Sequence, residues 1–331
     1  MRTRCRRVSS ADRQNSVLND ETASSKQEFR RLTDETPVRP ARGPGYRHRV
    51  PRLDYPTYLD HIRTESARFR EVLADCDPSA RVPTCPDWDA ADLLWHLTGV
   101  QRFWSDVVTY RPAGPDDPRI VQEGSAERPE SYADLLAAFD HASAALVEAL
   151  EQAGPDDEAW HWSGDNRVGT THRRQAHEAL IHRVDAELTA GAPVTPLDPA
   201  LADDGVAEVL GVMYGGAPEW GSFAGSGELI AVHLTDTGTE LLVELGLFSG
   251  TDPDSGTSYT DEDDIALIEP GATSPAEPVA GVSGTAADLD AWLWKRDPAL
   301  VPGTDDGDRI RISGDRITFE KLTAILGQPL N

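Results

Sequence analysis

Apolar residues recur every three or four positions from Leu53 onward, with Tyr58, Leu59, Ile62, Phe69 and Leu73 on one helical face. After the turn DCDPSARVPTCPDW the same period returns in Leu93, Leu97, Val100, Trp104 and Val107. It predicts a helix from about Asp89 to Thr109, with Asp87 or Asp89 as N-cap. The Pro- and Asp-rich loop RPAGPDDPR ends that helix. A third is expected over about Ser131 to Gln152, with Tyr132, Leu135, Leu136, Phe139, Leu146 and Leu150 inward. A fourth, over about Thr170 to Ala190, stops at Gly191 and Pro193. Four such helices can share one core as a bundle, to which a helical segment near Asp203 to Tyr214 adds.

After YGGAPEWGSFAGSGE, taken as a connection, the pattern changes to β. LIAVHLTD and ELLVELGL, joined by TGT, predict a hairpin, and PVAGVSG a further strand. TAADLDAWLWKRD reads as a helix, DRIRISGD as a last strand and ITFEKLTAILG as a last helix. The expected organisation is therefore a basic, disordered tail over 1–50, an all-α four-helix bundle over 54–215 and a small α+β domain over 220–331. No internal repeat is visible.

The net charge of -26 and the pI near 4.6 argue against nucleic-acid and anionic-membrane partners. A small anionic substrate remains compatible, since groups in a pocket can override the overall field. No stretch has the apolar length of a membrane span, and no apolar run follows the basic MRTRCRRVSS, so the cytoplasm is the expected compartment. Cys5, Cys76 and Cys85 form neither a disulfide framework nor a CxxC site and read as packed or incidental thiols.

Candidate chemistry sits in the fourth helix, in HEALIHRVDAE. Glu178 and His182 are one turn apart, about 6 Å of rise, so both can grip one ion or both can belong to a solvated face. His96, in ADLLWHLTGV on the second helix, is the best third ligand; alone it reads equally as a satisfied core histidine. Facing helices of a bundle can bring such groups together, and two imidazoles with one carboxylate match a catalytic zinc set with an open position. His172 and His177 point elsewhere on the helix. Asp185 lies near the face of His182 and can orient its ring or be an ordinary polar residue. Trp160 and Trp162 read more readily as loop packing than as the wall of a ligand cleft.

VPTCPDWDAADLLWHLTGVQRFW resembles the N-terminal signature of the mycothiol-dependent maleylpyruvate isomerase family: a Pro-Thr-Cys-Pro-x-Trp turn, then an Asp-Leu-x-x-His-Leu helix. HEALIHRVDAE resembles its second signature, Glu-x-x-x-His-Arg-x-Asp, and GVSGTAADLDAWLWKRD followed by IRISGD resembles its second domain. The resemblance runs from about residue 54 to the end, and GTDPDSGTSYTDEDD falls outside it as an insertion. It implies a DinB-like bundle holding a divalent metal, usually zinc, on His96, Glu178 and His182, and a sterol-carrier-like second domain. It matches Arg296 to an arginine serving activity, which could clasp a substrate carboxylate; the alternative is a surface arginine near a helix C-terminus. It also implies mycothiol as the thiol cofactor of a metalloenzyme, adding to a small electrophile such as maleylpyruvate so that a cis double bond can rotate to trans, or S-transfer to such an electrophile. A non-catalytic metal-binding or sensor module, or a metal-assisted hydrolase on the same bundle, stays open beside it.

Overall fold

The computed structural model describes residues 53–114, 117–121, 126–218, 220–252, 256–268, 277–297 and 309–328; the tail expected over 1–50 lies outside them. Helix α1 (Tyr55–Ala74) starts where the Asp54 carboxylate accepts from Thr57 N at 2.9 Å. A short hairpin follows, β1 (Arg81–Val82) and β2 (Cys85–Asp89), in a stretch expected to be only a turn. Two residues pair with five across a Pro-Thr turn, too short for any hydrophobic alternation to announce them. The strand β2 runs straight into α2 (Ala90–Tyr110), where Asp89 and Asp92 close a reciprocal capping box. Ser131 caps α3 (Tyr132–Gln152).

Helix α4 (Val168–Thr189) departs from expectation. A polar face turned to solvent is what its charges suggest, yet nineteen of its 22 residues are buried. It packs along α1 and against α2, while α3 packs on α2 and α1. Its remaining side is closed by α5 (Pro199–Glu208), capped by Asp198, whose last turn widens into a π-turn over Val209–Met213. The charges survive burial because they are paired. Arg173 Nε lies 2.8 Å from Asp204, Arg174 Nη1 2.7 Å from Glu208 and Arg183 Nε 2.7 Å from Glu65. At the other end of the helical part, Trp160, His161 and Trp162 pack on Trp104 of α2, with Trp104–Trp160, Trp104–His161 and His161–Trp162 all stacked.

The α+β part is a five-stranded mixed sheet of order β5-β4-β3-β6-β7. Strand β3 (Gly221–Leu234) starts well before the expected LIAVHLTD, pairs antiparallel with β4 (Glu240–Thr251) and parallel with β6 (Ala280–Gly284). Half of the segment set aside as an insertion is strand β5 (Ser258–Ile268), antiparallel to β4. Its acidic first half is exposed and only Ile265 and Leu267 are buried, so the backbone ladder, with little apolar patterning, defines it. Helix α6 (Ala286–Leu293), edge strand β7 (Arg311–Gly314) and α7 (Arg316–Leu326) complete it.

The two parts meet where α5 packs on α6. The contact needs a glycine: a Cβ on Gly205 would lie 2.5 Å from Asp290 Oδ1. Among the described residues no helix is long and apolar enough to cross a membrane.

Candidate metal centre

Two helices and the hairpin between them build the site. On α2 the run from the Asp89 cap carries His96 to the face opposite α4, and the β2 indole of Trp88 lies against its ring, centroids 4.7 Å apart. On α4, Glu178 and His182 sit one turn apart and face His96. Glu178 Oε1 is 3.1 Å from His182 Nε2 and 3.6 Å from His96 Nε2, and the two imidazole centroids are 4.9 Å apart. One ligand atom from each of the three falls within 4.8 Å of the others. The cluster is not sealed: the His96 side chain keeps 25% of its surface, Glu178 15% and His182 9%.

The surroundings prepare each group. Asp185 Oδ2 lies 3.0 Å from His182 Nδ1, which puts the proton of a neutral ring on Nδ1 and leaves the Nε2 lone pair facing Glu178 and His96. Asp185 is itself held by Thr84 Oγ1 at 2.6 Å, from the β1–β2 turn. Arg296, just beyond α6, reaches across to it with two parallel bonds, Nε to Oδ1 at 3.1 Å and Nη2 to Oδ2 at 2.5 Å. Burial alone would raise the Asp185 carboxyl, but Arg296 and His182 hold it well below the usual range. Glu178 follows the same rule: burial pushes it up, and Arg174 with the two imidazoles outweighs burial and keeps it ionised. Arg174 bonds Glu178 on one side and Glu208 on the other, and lies 4.7 Å over the Trp294 ring. The cluster therefore offers two imidazole nitrogens and one carboxylate oxygen, a donor set suited to a divalent cation of zinc type.

Of the residues picked out in the sequence, His96, Glu178 and His182 are brought together and Asp185 lies behind His182. The Arg296 side chain keeps 11% of its surface; its fork is engaged by Asp185, and Nη1 bonds Trp294 O at 2.6 Å. His177 and His172 lie away from the cluster: His177 Nε2 is 2.9 Å from Asp204 Oδ2, and His172 Nδ1 bonds Val168 O. Neither Cys76 nor Cys85 forms a disulfide. Sequence reading passed over Arg174, although its four-residue spacing to Glu178 was a legible signal; Thr84 and Trp88 were visible only as members of the Pro-Thr-Cys-Pro-x-Trp turn, and the hairpin gives them their places at the site.

Residues 59–187 match the family described as Mycothiol maleylpyruvate isomerase N-terminal domain. Two solved structures are similar to the chain. One, of the mycothiol-dependent maleylpyruvate isomerase, has 16% identity and a TM-score of 0.47. The other, of a histidine-to-alanine mutant of that enzyme, has 17% identity and a TM-score of 0.46. Each alignment covers 72% of this chain and 88% of the solved one. No curated protein matches the sequence.

Proposed function

We propose that the chain, whose residues 59–187 match the mycothiol maleylpyruvate isomerase N-terminal domain, is a mycothiol-dependent metalloenzyme. It isomerises a cis double bond in a small electrophile, or transfers the thiol to one. The observation that carries this reading is the convergence of His96, Glu178 and His182, whose ligand atoms lie within 4.8 Å of one another at a partly open position. We read 54–215 as a DinB-like four-helix bundle and 220–331 as a sterol-carrier-like domain, with the three side chains as the ligands of one divalent metal.

When bound, the metal supplies Lewis acidity that favours a thiolate near neutral pH, and the thiol supplies the nucleophile for a conjugated double bond, so no protein cysteine is required. The rest is the work of the chain. Arg174 keeps Glu178 anionic. Asp185 fixes the tautomer of His182 and holds its ring in place. Arg296 carries this support across from the second domain, acting on the site through Asp185 with its fork already engaged there. Its role is thus to position the site, in place of clasping a substrate carboxylate directly. Trp88 shields one face of His96 from water.

The test has two parts: metal content of the purified protein, and loss of maleylpyruvate absorbance with and without mycothiol. About one metal per chain with thiol-dependent turnover is expected. Stoichiometric metal with no thiol dependence toward any electrophile would leave a metal-binding module or a hydrolase, and the isomerase reading would fall.

A further inference from the structure

Helix α4 continues its polar stripe beyond the triad. Gln175 lies three residues before Glu178 and Thr171 seven before it, so at 100° per residue Thr171, Gln175, Glu178 and His182 fall within about 60° around the helix axis. Gln175 is 1% exposed and Thr171 is fully buried. Neither the carboxamide nitrogen nor the oxygen of Gln175 makes a hydrogen bond, and Thr171 Oγ1 makes none. Unmade hydrogen bonds of a buried amide cost stability, and an isosteric leucine would avoid the loss.

An aromatic stack on α2 comes near the same stretch of α4. Trp104 lies eight residues after His96 on α2, just over two turns along and about 80° around from it. His161 stacks on it with centroids 4.8 Å apart and is close enough to Arg174, next to Gln175, to feel its charge. His161 is 2% exposed, and burial pushes its imidazole down to about 3, so the ring is neutral at ordinary pH. Its tautomer follows from its neighbours. The backbone N–H of Ser163 donates to Nδ1 at 3.2 Å, and Ser163 Oγ lies 2.7 Å from the same nitrogen. Nδ1 is therefore the acceptor, the proton sits on Nε2, and that N–H is buried without a protein acceptor.

We propose that Gln175 and His161, with Thr171 beside them, form an oxygen-binding subsite next to the triad that receives a carboxylate or carbonyl of the molecule whose reacting end meets the triad. The donors lead in number: His161 Nε2–H, the Gln175 amide N–H groups and the Thr171 hydroxyl, against the single carbonyl of Gln175 and the lone pairs of Thr171. All three are uncharged, so the ligand oxygen is read by hydrogen bonding, and Arg174 adds a positive field while bonded to Glu178 and Glu208. Gln175 lies about 4.5 Å and Thr171 about 10.5 Å of helix rise from Glu178, a span that a short unbranched carbon chain covers. The inference rests on the proposed thiol-dependent reaction for which molecule it is, and two sources carry the chemistry: the electrophile's carboxylate or the carbonyls of the thiol cofactor.

The variants are Gln175→Leu and His161→Phe, which keep shape and stacking and remove the polar atoms. The zinc-loaded full chain is titrated with maleate, without thiol, following the fluorescence of the tryptophans around His161, and KM is measured separately for maleylpyruvate and mycothiol. Each variant is expected to weaken maleate binding roughly 10-fold to 100-fold, the range for a hydrogen bond to a charged group. Each should also melt at or above the wild-type temperature, because an unpartnered buried polar group has gone; a structural pair would melt lower. A rise in KM for maleylpyruvate assigns the subsite to the electrophile, and a rise for mycothiol alone assigns it to the cofactor. Variants that change neither maleate affinity nor either KM overturn the subsite even if wild-type turnover stands. Weakened maleate binding without any thiol-dependent turnover keeps the subsite and overturns the isomerase reading.

Discussion

Helix α4 carries two histidines five residues apart, each within hydrogen-bond reach of an aspartate, and the two have opposite characters. His177 is fully buried. Its Nε2 faces Asp204, which also accepts from Tyr58 OH at 2.7 Å and from Arg173. That carboxylate takes all three contacts on Oδ2, is held ionised against burial by Arg173, and joins α1, α4 and α5. His182 puts its Nδ1 on an aspartate and leaves Nε2 toward a second imidazole and a carboxylate at a partly exposed position. The first arrangement ties helices together; the second presents lone pairs. The lesson is which nitrogen the aspartate takes and what faces the other one, and residue type decides neither.

Breaking the Asp204 cluster should have the largest effect on the fold. Asp204→Ala strands Arg173 and His177 in the interior and should cost about 3–5 kcal/mol, read by urea denaturation, with the metal stoichiometry of the folded fraction unchanged. At the other pole, His182→Ala should abolish stoichiometric metal in elemental analysis while the far-UV dichroism stays helical. Full occupancy in that variant would remove His182 from the ligand set.

Asp290, at the α5–α6 contact, sharpens the comparison because, among the described residues, neither of its carboxylate oxygens has a hydrogen-bond partner. Burial raises its carboxyl from the ordinary 3.8 to about 7, with His177 lowering it and Glu208 and Asp204 adding to the rise. An acid whose folded value is raised binds more protons folded than unfolded. Its contribution is full below about 4 and is lost as pH rises toward 7. Asp290→Asn should remove that slope, a difference on the order of 4 kcal/mol across the window, measured by melting wild type and variant at several pH values. A difference that stays constant with pH would show that Asp290 titrates normally.

The smallest effect belongs to the support of His182. Asp185→Asn keeps the shape but weakens the tautomer control and the Arg296 pair, and should lower metal affinity roughly 10-fold to 100-fold in competition with a chelator. Unchanged affinity would reduce Asp185 to an interdomain tie.

Helices α1, α2 and α3 were legible because each buries an apolar stripe and begins at a recognisable cap, as Asp89 and Ser131 illustrate, whereas α4 has no side-chain cap and is buried on nearly every side. Strand β5 was not, since Tyr259 to Asp263 lie exposed at a sheet edge and their pairing is a property of the backbone. In the site, the four-residue Glu178–His182 spacing and His96 within an apolar helix were visible as candidates. Arg296 was visible only through its motif, and its Asp185 partner could not be seen, being 111 residues away.

By itself the sequence determined the local geometry: which residues share a helical face, where helices start, and that Glu178 and His182 point the same way, because these follow from a repeat of 3.6 residues. The tertiary structure decided which of the candidate groups meet, that α4 is enclosed and its charges paired, and that His182 stays available while His177 is locked. Those outcomes depend on long-range packing and on the local dielectric each group finds there, and neither is encoded within a few residues of the group itself.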